Sequence, residues 1–441
     1  MEKRIINGIL YADNCNTVEL AKKYGTPLYV ISESAILRRI NELKDSFLNR
    51  YENVRAAYAA KAFCNMAMFK LCEREGLGID VVSGGELYTA IKAGYPGKCI
   101  EFNGNNKLRK EIEMALDYGV GRIIVDSPQD LSLIEEVCRR KRKKVNILFR
   151  INPGVKANSH EYIITGNKDS KFGMPLEKTA IYQQIFRALR SKYVNFLGFH
   201  FHIGSQIFEK EVYLTALDVI LDLVNEVKIK FNFDVTELNL GGGFGTTYTD
   251  EKRLPFNHYL DPIMKRIERF FIEQGSERPA VVIEPGRSVV AEAGFSLYSI
   301  GSIKDIAGVR KYVSVDGGMT DNIRPALYNA RYDAVIANMA DVPRTDLVTI
   351  AGKCCESGDI LIRDIKIAEN VKAGDLLAVF TTGAYGYSMA SNYNRNPIPP
   401  VVLVKNGRSE IIVKGQTYDH IVSNDIIPDS LKDFGGIHEV C

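Results

Sequence analysis

From about residue 27 to residue 291 the chain repeats one pattern: a short apolar run, a polar or glycine-rich stop, then a stretch whose apolar positions recur every three or four residues. Short apolar runs bounded by turn residues predict buried strands, and the 3.6-residue period predicts amphipathic helices. Eight runs qualify as strands: 54–58, 78–82, 100–102, 122–125, 145–150, 197–202, 237–240 and 280–284. A helical segment over 34–47 precedes the first, with Ile36, Ile40, Leu43 and Phe47 on one face. Alternating strands and helices imply a parallel sheet. Eight such units imply an α/β fold closed into a (β/α)8 barrel of the TIM type.

Beyond about residue 292 the texture changes. Runs at 291–300, 312–315, 347–350, 376–380, 401–404 and 410–413 are short and β-prone, with turns between them. They predict a C-terminal, mostly antiparallel β domain. Residues 1–26 are expected to join it, 4–10 as a strand. The division is therefore 27–291 for the barrel, and 1–26 with 292–441 for the β domain. The last stretch, 433–441, reads as a loose tail.

Composition narrows the function classes. With 46% apolar and 25% charged residues, the 441-residue chain has the balance of a soluble globular protein. Its 57 basic and 54 acidic residues leave a net charge of +3, which gives no reason to expect nucleic acid or an anionic membrane as partner. The one basic run, Arg139 to Lys144, reads as a solvated helix end. No apolar stretch approaches the ~20 residues that span a bilayer, and residues 1–14 lack the apolar core of a signal peptide. Eight cysteines are scattered without CxxC pairs, which fits a reducing compartment and a cytoplasmic address. The six histidines and nearby acids form no recognisable ligand set, so no metal is expected.

The unusual residues follow the predicted strands, where the mouth of a barrel and its active site lie. Lys61 ends a run of mostly small residues, Ala56-Ala57-Tyr58-Ala59-Ala60, that could pass beneath a ligand. A partly desolvated lysine there could lose its proton and form a Schiff base; the plain alternative is a surface charge. Gly241-Gly242-Gly243 marks either a tight turn or a phosphate cradle built from exposed backbone N–H groups. Ser205 and Arg287 could add a hydroxyl and a charged fork to the same anion. His202 is either a core histidine or a flat cover for a planar cofactor. Glu284, before Pro285 and Gly286, is either a structural cap or a carboxylate facing a ring nitrogen. In the β domain, Cys355 and Glu356 stand in a polar segment between apolar strands, and Arg324 and Tyr328 are spaced to share a helix face, although Pro325 disfavours helix at Arg324. Tyr385 sits in a glycine-flanked turn.

Taken in order, Tyr58-Ala-Ala-Lys61, His200-Phe-His-Ile-Gly-Ser205, Gly241-Gly-Gly-Phe, Glu284-Pro-Gly-Arg287 and Cys355-Glu-Ser-Gly-Asp359 resemble the motif series of the alanine-racemase-fold (fold type III) decarboxylases. Ser170-Lys-Phe-Gly173, Arg324-Pro-Ala-Leu-Tyr328 and the segment from Tyr385 to Asn394 are most similar to the diaminopimelate decarboxylase branch. The resemblance implies pyridoxal 5'-phosphate as cofactor, carried by Lys61. It implies that His202 stacks on the cofactor ring and Glu284 pairs with its nitrogen. Ser205, Gly243, Pro285, Gly286, Arg287 and Tyr385 hold or border it. It implies meso-diaminopimelate as substrate, with Arg287, Arg324 and Tyr328 at the non-reacting end, Glu356 on the amine beside it and Tyr385 also contacting the substrate. Cys355, not the adjacent Cys354, is implied as the proton donor. Because Cys355 and Glu356 reach the site from a partner in that family, a homodimer with shared active sites is implied. L-lysine and carbon dioxide are the implied products, in the last step of lysine biosynthesis. The alternative on the same fold is decarboxylation of another basic amino acid, such as ornithine, lysine or arginine. The Arg324/Tyr328 pair argues against that, as Glu284 argues against a racemase.

Overall fold

The structure, a computed structural model, describes residues 1–155 and 170–432. Eight parallel strands build a barrel: Val54–Ala59, Gly78–Val81, Ile100–Phe102, Arg122–Val125, Val145–Asn152, Val194–His200, Glu237–Asn239 and Ala280–Ile283. Each pairs with the next, and the eighth returns to the first, Val281 opposite Val54, which closes the ring. The eight runs picked out by hydrophobic pattern fall on these strands, with ends displaced by three residues at most.

After the first, second and fourth strands the polar stops are helix caps. Asn65 accepts from the Met68 N–H at 2.9 Å, Ser83 from Glu86 at 3.2 Å and Ser127 from Asp130 at 3.2 Å. Each satisfies a donor that the first helical turn would otherwise leave open. The chain thus turns sharply from strand to helix and leaves the strand ends exposed to a common mouth. The helix expected over 34–47 forms as Glu33–Leu43 and continues as one wider turn, Lys44–Leu48, with Ile36, Ile40, Leu43 and Phe47 fully buried. The basic run closes the helix Pro128–Lys141, as its charge pattern suggested.

A second, mostly antiparallel sheet is assembled from Gly294–Ile306, Arg310–Val315, Arg344–Ala351, Ile360–Ala368, Leu376–Phe380, Val401–Lys405 and Arg408–Val413, with the short strand Ala334–Ile336. Leu28–Ser32 also belongs to this sheet, antiparallel to Gly294–Ile306 and parallel to Val401–Lys405. It lies within the 27–291 span read as barrel. All five of its residues are buried, so nothing in their pattern distinguishes a barrel strand from a central strand of another sheet.

The expectation for 4–10 needs correction. The segment does not add one strand to the second sheet. It breaks at Asn7-Gly8, both at positive φ (49° and 77°), into a hairpin of Lys3–Ile6 and Ile9–Ala12. With Cys15–Asn16 this forms a separate three-stranded sheet. Leu10, Ala12 and Cys15 pack that sheet on Val30, Phe295 and Leu297, and the Leu10 N–H donates to the Ala337 carbonyl at 2.7 Å. The tail expected at 433–441 lies outside the described residues.

Candidate active site

The C-terminal ends of the barrel strands and one edge of the second unit enclose a cavity of about 370 Å³. Lys61 enters it from the turn Ala60–Ala62 after the first strand. Gly104 and Asn105 follow the third strand, and Arg150 lies near the end of the fifth. His202 and Ser205 follow the sixth, Gly243 and Phe244 the seventh, and Glu284, Gly286 and Arg287 the eighth. From the second unit come Arg324, Tyr328, Tyr385 and Met389. Four cationic side chains thus share the wall with one carboxylate, which makes the cavity attractive to anions.

Glu284 is the best-anchored group in the site. Asn103 and Asn239 donate to its Oε1 at 3.1 and 2.9 Å, and His200 Nε2 lies 3.1 Å from Oε2. Burial alone would raise its pKa, but the charge and hydrogen bond of His200, with His202 and Lys61 nearby, hold it down at about 2. It is therefore an anion throughout the neutral range. Neighbouring acids behave oppositely. Burial and the charge of Glu284 push the Asp80 carboxyl well up, and burial pushes Glu101 up to about 8 against Arg122. Asn239 spends one N–H on Glu284 and the other on Glu101 Oε2 at 2.7 Å, while its Oδ1 takes the Gly241 N–H at 2.9 Å. That amide ties the carboxylate, the barrel interior and the glycine run into one unit.

His202 accepts the Gly242 N–H at Nδ1, 3.1 Å away. Burial, then the positive charges of Lys61 and Arg150, lower its pKa well below the ordinary value. The ring is therefore neutral, with its proton on Nε2. The glycine run allows this approach: a Cβ on Gly242 would stand 2.1 Å from the Glu284 carbonyl oxygen, and one on Gly243, at φ +106°, would stand 2.5 Å from that of Gly204.

Arg287 and Arg324 are both more than nine-tenths buried. Arg287 places Nε and Nη2 on the Ser205 hydroxyl at 3.1 and 3.0 Å, and its guanidinium lies over the Tyr385 ring at 4.6 Å. Arg324 opens the single helical turn Arg324–Tyr328. Pro325 fits at its start because the first turn has no partner for that N–H in any case. Among the described residues neither guanidinium has a carboxylate within 4 Å, although both face the cavity. Two buried cations held without a counter-ion make a site for an anionic ligand.

Residues 34–291 match the family model of the pyridoxal-dependent decarboxylases, pyridoxal-binding domain. A diaminopimelate decarboxylase from Bacillus subtilis is 48% identical over 421 residues, which cover 95% of this chain and 96% of that one. The crystal structure of diaminopimelate decarboxylase from M. jannaschii superposes with a TM-score of 0.91 at 37% identity, covering 97% and 98% of the two chains. The chain belongs to the diaminopimelate decarboxylase family. A lysine/ornithine decarboxylase from Vibrio vulnificus, at 22% identity and TM-score 0.74, shares the fold.

For a member of the diaminopimelate decarboxylase family, the cavity gathers most of the residues singled out by sequence: Lys61, His202, Ser205, Gly243, Glu284, Gly286, Arg287, Arg324, Tyr328 and Tyr385. Pro285 stands behind the wall, its carbonyl accepting the Ala59 N–H at 3.1 Å. Cys355 and Glu356 are exposed, outside the cavity of their own chain, on the connection between Arg344–Ala351 and Ile360–Ala368. Cys354 is buried, and its N–H donates to Asp359 at 2.8 Å. Asn103 stood among the residues expected at the barrel mouth but without a role, and sequence reasoning passed over Asn239, Arg150, Tyr248 and Tyr332. Both asparagines carry a signal that could have found them, since a polar residue at the end of an apolar run or just beyond it must find a partner at the barrel mouth.

Proposed function

We propose that this chain binds pyridoxal 5'-phosphate in the cavity and decarboxylates meso-2,6-diaminopimelate to L-lysine and carbon dioxide, as a cytoplasmic homodimer. The residues fit the cofactor. Lys61 offers an amine at the wall, His202 a neutral flat ring, and Glu284 a carboxylate already ionised for a ring nitrogen. Ser205 and Arg287 face the cavity beside Gly243. The chemistry such a cofactor supplies when bound is an electron sink for the pair left when the carbon–carboxylate bond breaks. The chain's own residues bind, orient and protonate. Arg287, Arg324 and Tyr328 take the carboxylate at the non-reacting end, which fixes which carboxylate is lost. Glu356 and Cys355, from a second subunit, take the far amine and return a proton to the α-carbon.

The observation that carries this reading is the pair of buried arginines that face the cavity with no carboxylate of their own among the described residues. A substrate with a second carboxylate fills that vacancy through charge-assisted hydrogen bonds. A substrate without one leaves buried charged donors unmet, at roughly 1–3 kcal/mol or more for each. The test is to incubate the purified protein with pyridoxal phosphate and meso-diaminopimelate and to measure lysine and carbon dioxide. R324A should raise KM at least tenfold, by the same energies. Borohydride should fix the pyridoxyl group to the peptide carrying Lys61. Equal turnover of lysine, ornithine and diaminopimelate would instead favour a broad basic amino-acid decarboxylase.

A further inference from the structure

The two arginines are not held in the same way as ordinary buried cations. Arg287 Nη1 donates to the Tyr248 hydroxyl at 2.6 Å, and Arg324 Nη1 donates to the Tyr332 hydroxyl at 2.5 Å. The two tyrosine rings meet edge-on, centroids 5.4 Å apart at 87°, and the Arg324 guanidinium lies over the Tyr248 ring at 4.8 Å. Both tyrosines are buried, at 7% and 3% exposure, and both stand behind the arginines rather than in the cavity wall. Tyr248 and Arg287 belong to the barrel, whereas Tyr332 and Arg324 belong to the second unit. The four side chains therefore cross the junction between the two units as a continuous brace.

A tyrosine hydroxyl is a neutral acceptor. It orients a guanidinium without cancelling its charge, as a carboxylate would. Arg324 keeps the rest of its fork for a ligand, and Arg287 keeps the second N–H of each Nη nitrogen once Ser205 and Tyr248 are served. The Tyr332 phenol is pushed up to about 12, by burial first, so it stays protonated and neutral across the working range. Tyr248 is fixed in turn from its own loop, where its N–H donates to Glu251 at 3.0 Å.

We propose that Tyr248 and Tyr332 are positioning residues that set the distance and angle between Arg287 and Arg324, and so select a substrate with a carboxylate at its far end. This rests on the dicarboxylate reading above. Holoenzyme carrying Y248F or Y332F keeps each ring and loses only the acceptor. KM for meso-diaminopimelate should rise roughly tenfold in each, as buried charged donors lose a partner, with kcat within about twofold of wild type. Because Tyr332 acts through Arg324, Y332F should add nothing to R324A. Equal losses in both backgrounds, or an unchanged KM in both folded single variants, would overturn the proposal. If the phenylalanine variants do not fold, 3-fluorotyrosine at the same positions weakens the acceptor without emptying the site and carries the same KM comparison. If wild type leaves meso-diaminopimelate untouched, the substrate reading fails on its own. The brace is then judged by calorimetry with pimelate, a plain dicarboxylate. Binding to wild type that weakens about tenfold in Y248F and Y332F supports it; no binding to wild type, or equal binding, overturns it.

Discussion

His202 links the site to stability. Its folded ring resists protonation, whereas in the unfolded chain it takes a proton near the ordinary value of 6.5. Below that pH the unfolded state binds more protons, so stability falls as pH drops and is restored as pH rises through 6.5. H202F keeps a flat ring and removes the titration. Between pH 7.5 and 5.5 it should therefore lose about 1 kcal/mol less stability than wild type, read from denaturant midpoints at the two pH values. An identical pH slope would show that the ring does not titrate on unfolding. At this scale the sequence was legible where chemistry is rare and local: a lysine in a run of alanines, a histidine two residues before a glycine, an arginine after Pro-Gly. It was silent on Tyr248 and Tyr332, because their role lies in partners 39 and 8 residues away and nothing in the local sequence marks them.

Among the elements, the turns after the seventh and eighth strands have little freedom. In G242A the new methyl would press on the Glu284 carbonyl oxygen, 2.1 Å away, and neither backbone can give without moving Glu284 and Pro285. A loss of about 1–3 kcal/mol and a lower Tm are expected. G85A is the matched control. It lies exposed in the helix Gly84–Lys92 with nothing nearer than Ser83 Oγ at 3.8 Å, so it should hold or gain up to about 1 kcal/mol. Equal melting of the two variants would contradict the close-approach argument. Barrel strands were readable because each is a short apolar run that stops at polar or glycine-rich residues. Ala334–Ile336 is too short to stand out, and Ile360–Ala368 mixes charged residues into its run, so neither gave a clear strand pattern.

For the whole molecule, the exposed Cys355 and Glu356 matter most. If they complete the cavity of a second subunit, neither K61A nor C355A homodimers should turn over substrate. A mixture allowed to exchange subunits should recover activity, because one site of each mixed dimer keeps both residues. No recovery, with exchange shown by differently tagged subunits, would leave Cys355 outside catalysis. The strand Leu28–Ser32 bears on something else: the order in which a ribosome delivers the chain. This wholly buried strand emerges early, yet its neighbours, Gly294–Ile306 and Val401–Lys405, are made after the entire barrel. Closing so long a loop costs little more entropy than closing a shorter one, but it delays the contact. The nascent chain must therefore carry an unpaired apolar strand through most of its synthesis, and a chain that stops short of residue 401 leaves one edge of it without its partner.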